Sequence, residues 1–131
     1  MLRQTFKKGE RLHSKKLIGF LFSEGKNFFV YPFKVFYATW PEKREFPAEL
    51  LVSVSKKKHR KAVKRNKVKR LVREAYRKNK HLIYHELNGK NGTLLIGLIY
   101  IADDILDYKE IEKKIILILQ RLKKNDEESD R

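Results

Sequence analysis

The spacing of apolar residues changes several times along the chain, and each change predicts a new element. Apolar residues three or four positions apart, the spacing of an amphipathic helix, occur in residues 15–25, 61–78 and 108–124. Ser14 has the chemistry of an N-cap for the first helix, and Gly25 that of its C-terminal stop. Asp107 and Glu110 resemble a capping box that opens the last helix. The pattern therefore predicts three helices.

Three segments between these helices are typical of strands. The first, residues 32–39, has a two-residue period that places Phe33, Val35 and Tyr37 on one face. The second, residues 48–55, has one wholly apolar face, and the third, residues 93–102, has almost no polar side chain, as in a strand buried on both faces. The order α, β, β, α, β, α predicts an α/β (α+β) two-layer sandwich, with helices packed on a small sheet.

The length of 131 residues is that of a single domain large enough to bury a core. We expect this domain to cover residues 1–125. Residues 126–131 are almost all charged, and they predict a disordered tail.

Charge is concentrated in the middle helix and the residues before it. Between Lys56 and Lys80 there are fourteen Lys or Arg and one acid, Glu74, so this stretch supplies thirteen of the sixteen net positive charges. The predicted helix holds an apolar stripe on one side and like charges four residues apart on the other. Such pairs are unfavourable by a few tenths of a kcal/mol unless an anion lies against them. The segment therefore predicts a phosphate-binding helix that docks on a core.

Composition narrows the class of partner and excludes several kinds of site. The sequence pI near 10.1 and the net charge of +16 favour nucleic acid. Absence of cysteine excludes disulfides, cysteine-based zinc sites and thiol nucleophiles. The amino terminus lacks the apolar region of a signal peptide, and we expect a cytoplasmic protein.

The basic segment also carries a long motif. The run AVKRNKVKRLVREAY begins at Ala62 and follows LVSVSKK, which ends at Lys57. This arrangement closely resembles the bacterial ribonuclease P protein family, in which A-V-x-R-N-R-x-K-R-x-x-R-x-x-[FY] follows a strand ending in S-V-S-K-K. The resemblance covers nearly the whole chain. One departure is Lys67, which stands where the family usually has Arg and lacks the bidentate fork of a guanidinium.

The resemblance implies both a fold and a function. The implied fold is a small, mostly antiparallel sheet with an unusual left-handed βαβ crossover, an exception to the usual right-handed rule. Members of the family bind a catalytic RNA and help it remove the 5′ leader of precursor tRNA. The RNA performs the hydrolysis with Mg²⁺, bound mainly through the RNA, so the protein is part of an endoribonuclease but is expected to be inactive alone. The implied partners are this RNA and precursor tRNA, without DNA or membrane.

Position by position, the resemblance assigns two sets of binding residues. Contacts to the catalytic RNA would be made by Arg65, Asn66, Lys67, Lys69, Arg70 and Arg73. A leader-binding cleft beside the first and basic helices would be lined by Ile18, Phe22, Val35, Tyr37, Ser53, Lys56 and Lys57. Aromatic stacking beside a positive groove is how single-stranded RNA is commonly bound. We interpret Phe33, Phe36 and Trp40 as core residues, while core packing and base stacking both stay open for Phe22 and Tyr37.

Two other clusters suggest metal sites and are set aside. His81 and His85 have the spacing of metal ligands one helical turn apart, but no HExxH arrangement accompanies them. Asp103 and Asp104 lie between a strand and a helix cap, where a polar turn is the simpler interpretation. We therefore predict neither a protein-bound metal nor a catalytic residue.

Two other functional classes remain open on composition alone. A non-catalytic RNA-binding protein, such as a ribosomal protein, would have equal basicity but no preference for precursor over mature tRNA. A DNA-binding or membrane-surface protein would need a recognition element or an exposed, bulkier apolar helix face, and neither is visible.

Overall fold

The computed structural model of the chain describes residues 5–129. Its helices are α1 (Lys15–Glu24), α2 (Ala62–Asn79), α3 (His81–Leu87) and α4 (Tyr108–Ser129), with a short 3₁₀ turn at Lys8–Glu10. Its strands are β1 (Lys26–Val30), β2 (Phe33–Trp40), β3 (Ala48–Val54) and β4 (Thr93–Tyr100). The three predicted helices and three predicted strands are all present. The fold class, a mixed α/β fold with a mostly antiparallel sheet, is confirmed.

Three elements differ from the sequence prediction. The aromatic segment forms a hairpin, so β1 precedes the predicted strand, and α3 follows α2 where a connecting loop is expected. Helix α4 continues to Ser129, into the segment predicted to be a disordered tail. No Gly or Pro stops that helix, and Lys and Glu are good helix formers. Residues 130 and 131, the end of the predicted tail, lie outside the described residues.

The four strands form one sheet in the order β1-β2-β4-β3. Strand β2 pairs antiparallel with both β1 and β4, whereas β3 and β4 are parallel. The parallel pair is joined by a crossover that contains α2 and α3. This is the βαβ unit that the resemblance implies, and its left-handedness stays a prediction.

The two faces of the sheet are covered to different extents. On one face, α2 and α4 pack against strand residues such as Val35, Val52 and Leu98, which together form the larger core. On the other face, α1 packs through Leu17 and Leu21, and Leu12 of the preceding segment joins the same cluster. Since α1 has ten residues, it covers one end of this face and leaves the rest open.

A buried ion pair ties the amino-terminal segment to the end of α2. The carboxylate of Glu10 accepts hydrogen bonds from Lys80 Nζ and from the hydroxyl of Tyr84, and Lys80 Nζ also donates to the carbonyl of Thr5. Just after the 3₁₀ turn, the backbone N–H of Leu12 donates to the carbonyl of Leu50 in β3, 2.9 Å away. These contacts place Arg11 beside α2, near Arg73.

Candidate RNA interface

Helix α2 presents a basic surface on the side away from the core. Val68, Val72 and Ala75 are fully buried on its inner side. The six side chains predicted to contact catalytic RNA follow one another along the outer part of the same helix. We call this set the basic face: Arg65, Asn66, Lys67, Lys69, Arg70 and Arg73. Asn66, Lys67 and Arg70 are exposed, and the other three are partly buried.

Arg65 is also part of the local structure. Its Nη1 donates to the carbonyls of His59 and Arg60, at 2.9 and 2.7 Å. These carbonyls belong to the turn that leads into α2, and the N-cap residue Lys61 provides no side-chain cap. Arg65 therefore fixes the start of the helix as well as adding charge to it.

Arg73 of the basic face lies near a second guanidinium, that of Arg11 in the amino-terminal segment. Burial lowers the pKa of Arg73, and the neighbouring positive charge of Arg11 lowers it further. Arg11 is exposed, and its guanidinium lies 5.4 Å from the centre of the Phe6 ring. Two guanidinium groups held near each other favour a phosphate beside them, because the anion offsets their repulsion. Sequence reasoning did not find this role of Arg11, since the amino-terminal turn brings it to α2.

One charge of α2 is neutralised within the helix. The carboxylate of Glu74 accepts hydrogen bonds from Arg77 Nε at 2.9 Å and from Arg77 Nη2 at 2.6 Å. The bond from Arg77 lowers the pKa of Glu74 below its usual value. The carboxyl end of α2 therefore has less positive potential than the basic face that precedes it.

The loop from β3 to α2 is held against the end of β4. Lys58 Nζ donates to the carbonyl of Ile101 at 2.6 Å and lies 3.6 Å from the carboxylate of Asp103. The ring of His59 is buried, and its Nε2 lies 2.8 Å from the carbonyl of Ala102. Lys56 and Lys57 precede these anchors and are exposed. The loop is thus fixed, with two ammonium groups directed to solvent.

The uncovered part of the sheet carries aromatic and basic side chains. Phe22, at the end of α1, is 40% exposed, and its ring centre lies 4.8 Å from that of Phe36 at an angle of 65°. Lys34 Nζ lies 5.3 Å from the centre of the Phe36 ring. Gly97 lies beneath, and a Cβ there would come within 3.1 Å of Leu21, so glycine allows α1 to pack closely on β4. We call this surface the open face: Phe22, Lys34, Phe36, Ser53 and Ile99.

Comparison with known proteins identifies the family. The family model for Ribonuclease P matches residues 6–123. The chain belongs to the Ribonuclease P family. It is 43% identical over 118 residues to the ribonuclease P protein component of Porphyromonas gingivalis, covering 90% of this chain and 86% of that protein. The corresponding protein of Chlorobium phaeobacteroides is 40% identical over 83 residues, covering 61% and 57% of the two chains.

Solved structures of the Ribonuclease P family have the same fold. The RNase P protein from Thermotoga maritima superposes with a TM-score of 0.67 at 28% identity, covering 86% of this chain and 96% of that one. A Staphylococcus aureus RNase P protein mutant gives a TM-score of 0.68 at 25% identity, with 88% and 90% covered. The resemblance found in the sequence is thereby confirmed.

The structure brings some of the predicted leader-binding residues of this family member together and separates others. Phe22 and Ser53 lie on the open face, Ile18 is a partly buried residue of α1, and Lys56 and Lys57 lie in the loop that follows β3. Val35 and Tyr37 do not join them. Their neighbour Phe36, interpreted from the sequence as a core residue, is partly exposed on the open face instead.

The prediction that Val35 and Tyr37 share a surface with Phe22 is wrong. Side chains alternate along a strand, so Val35 and Tyr37 point to the face covered by α2 and α4. Val35 is fully buried there, and the hydroxyl of Tyr37 accepts a hydrogen bond from Asn125 Nδ2 at 3.3 Å. The core interpretation does hold for Phe33, which is fully buried, and Trp40 packs edge-on against Phe20 at 5.0 Å.

The clusters set aside as metal sites form none in the described part of the chain. Among the side chains of residues 5–125, no three His, Cys, Asp or Glu converge where they could hold a metal ion. His81 and His85 are both exposed on α3, and Asp103 and Asp104 lie in the polar bend after β4, as expected. Over the same residues, no helix has the length and apolar character needed to cross a membrane.

Proposed function

We propose that the chain works as the protein subunit of ribonuclease P, binding the catalytic RNA through its basic face and the 5′ leader of precursor tRNA on its open face. One observation carries the proposal: a single short loop joins the two surfaces. Strand β3 ends at Val54 on the sheet and α2 begins at Ala62, so Lys56 and Lys57 lie between the aromatic and the basic side chains. The protein can then bind the catalytic RNA and the leader of a precursor tRNA at the same time.

The basic face is suited to a folded RNA. Its exposed cations bind phosphates without reading sequence, and the salt dependence of affinity should reflect each neutralised phosphate. Asn66, exposed among them, adds an amide that can contact a base edge or a ribose. Helix α2 holds these side chains at fixed spacing because its inner stripe is buried against the sheet and α4.

The open face is suited to single-stranded RNA. The rings of Phe22, which is exposed, and Phe36, which is partly exposed, offer surfaces on which unpaired bases stack, which contributes about 1–3 kcal/mol per base. Lys34, Lys56 and Lys57 supply positive charge for the backbone beside them. Mature tRNA has no leader, so it lacks these contacts.

The protein residues do not fit a magnesium site of their own. Mg²⁺ prefers oxygen ligands, chiefly carboxylates and phosphates. Glu74 is the only acid between Lys56 and Lys80, and its carboxylate is bonded to Arg77. We therefore propose that Mg²⁺ is bound mainly by the RNA, which also performs the hydrolysis, and that the protein lowers the ion requirement by neutralising phosphates.

Reconstitution tests this function. The purified chain is combined with a bacterial ribonuclease P RNA at low Mg²⁺, and cleavage of 5′-labelled precursor tRNA is followed. The affinity for precursor tRNA is then compared with the affinity for mature tRNA. We expect the protein to lower the Mg²⁺ needed for cleavage and to favour precursor over mature tRNA. Equal affinity for both tRNAs, with no change in Mg²⁺ requirement, would instead assign the chain to general RNA-binding proteins such as ribosomal proteins.

A further inference from the structure

Two aromatic side chains at the edge of the sheet have no role in the function proposed above. Phe29 is 55% exposed at the end of β1, and Tyr31, in the turn that follows, is 54% exposed. Their ring centres lie 6.4 Å apart at an angle of 60°. Single exposed apolar residues are common on protein surfaces, but two adjoining exposed rings form a patch that suggests a binding site.

The strand register places Phe29 on the open face, and Tyr31 adjoins it through the ring contact. Phe29 pairs with Lys34, Lys34 pairs with Ile99, and Ser53 pairs with the same Ile99. Paired residues share a face, so the four side chains form a row across the sheet of about 14 Å, from strand spacings of 4.7–4.9 Å. The row ends at Phe29 on one side and, on the other, two residues before the loop that carries Lys56 and Lys57.

The same register sets the patch relative to Phe36. Phe36 pairs with Asn27, two residues before Phe29 on β1, so Phe29 lies one strand across and about 7 Å further along the sheet. Lys34 lies between them, with its ammonium group 5.3 Å from the Phe36 ring centre. A nucleic-acid strand on Phe22 and Phe36 therefore meets a cation and then a second pair of rings.

We propose that Phe29 and Tyr31 form an additional stacking site for the 5′ leader, binding nucleotides farther from the cleavage site than those on Phe22 and Phe36. This inference rests on the proposed function. RNA is favoured over a second copy of the chain because the net charge of +16 opposes self-association, whereas it attracts a polyanion. It is also favoured by continuity, since the patch and the open face are one surface bearing Lys34.

The test is a series of precursor tRNAs whose leaders lengthen one nucleotide at a time, bound to the reconstituted holoenzyme. The proteins compared are wild type, Phe36→Ala, the double variant Phe29→Ala with Tyr31→Ala, and the double variant Phe29→Leu with Tyr31→Leu. Leu117→Ala is the matched control, because Leu117 is 49% exposed on α4, which packs on the opposite face of the sheet. Circular dichroism checks that each variant folds.

We expect the Phe36→Ala defect to appear at short leaders and the Phe29 and Tyr31 defect only at longer ones. The alanine double variant should lose about fivefold in affinity for long leaders, the lower end of the effect of one stacked base, and Leu117→Ala should lose none. The leucine double variant should lose affinity as well, because leucine keeps apolar area but has no aromatic ring to stack on.

Four results would overturn the inference. A defect independent of leader length would show that the rings do not touch the leader. If the alanine double variant keeps full affinity while Phe36→Ala shows a leader-dependent defect, the additional site does not exist but the proposed function stands. If neither variant shows a defect, the leader does not bind on the open face at all. Sedimentation tests the alternative partner. If wild type self-associates, and the alanine double variant does not but the leucine double variant does, the patch binds a second copy of the chain.

Discussion

The basic face and the open face differ in what determines their contacts. The basic face follows from one helix: its cations lie outside because Val68 and Val72 are buried inside, and nearby phosphates can be bound in several arrangements. The open face is assembled from α1, β2, β3 and β4, and its binding depends on two rings held 4.8 Å apart. Affinity at the basic face should therefore depend on the total charge, whereas affinity at the open face should depend on the positions of individual side chains.

The largest effect should come from removing two exposed cations of the basic face. Hydrogen bonds to charged groups contribute about 1.5–3 kcal/mol each, and exposure to solvent reduces this. We expect Lys67→Ala with Arg70→Ala to weaken binding of the catalytic RNA by about 2 kcal/mol, or about thirtyfold. The slope of log affinity against log salt should become shallower by about 2, while the preference for precursor over mature tRNA should not change.

A charge-balanced variant of the same helix provides the control. Glu74→Gln with Arg77→Gln removes one negative and one positive charge that are already bonded to each other, so the net charge stays at +16. Titration of labelled RNA over a range of salt concentrations should give this variant the affinity and slope of wild type. If this variant loses as much RNA affinity as Lys67→Ala with Arg70→Ala, the basic face contributes no more to RNA binding than the rest of α2.

A smaller effect should separate neighbouring residues of β2. Phe36→Ala should weaken precursor binding by about 1–2 kcal/mol, the contribution of one stacked base, without weakening RNA assembly. Tyr37→Ala removes a side chain that points to the covered face, so it should lower the free energy of unfolding and leave precursor affinity unchanged. Urea unfolding and precursor binding are measured on both variants. Equal losses of precursor affinity would contradict the assignment of the two residues to opposite faces.

This pair of residues shows why one region could be predicted from the sequence and the other only partly. In α2, the apolar stripe predicts which side of the helix is buried, and Val68, Val72 and Ala75 are fully buried there. The six residues of the basic face were assigned by the resemblance, and their contacts with RNA stay a prediction. In a strand, a shift of one residue exchanges the two faces. Both faces of β2 hold large apolar side chains because α1 covers part of one and α2 and α4 cover the other, so its pattern does not show which face is open.

Long-range contacts account for the rest of what the sequence left out. Arg11 reaches α2 because Glu10, immediately before it, is bonded to Lys80, seventy residues away along the chain. Strand β1 was missed because the aromatic run divides at a turn before Phe33, and its pairing with β2 is visible only in the sheet. No local spacing encodes either contact.

The smallest effect concerns how charge is divided along α2, and pH can measure it. The bond from Arg77 lowers the pKa of Glu74 from its usual 4.5, so this ion pair contributes to stability above that value. The contribution is lost as pH falls through the lowered pKa of the folded protein, where Glu74 becomes protonated. Because both side chains are partly exposed, solvent screens the pair, and the change in the free energy of unfolding should be small. An NMR titration of the Glu74 carboxyl carbon should give a midpoint below 4.5 in wild type and one nearer 4.5 in Arg77→Gln. An unchanged midpoint in that variant would mean that Arg77 does not neutralise Glu74, and the carboxyl end of α2 would then belong with the basic face.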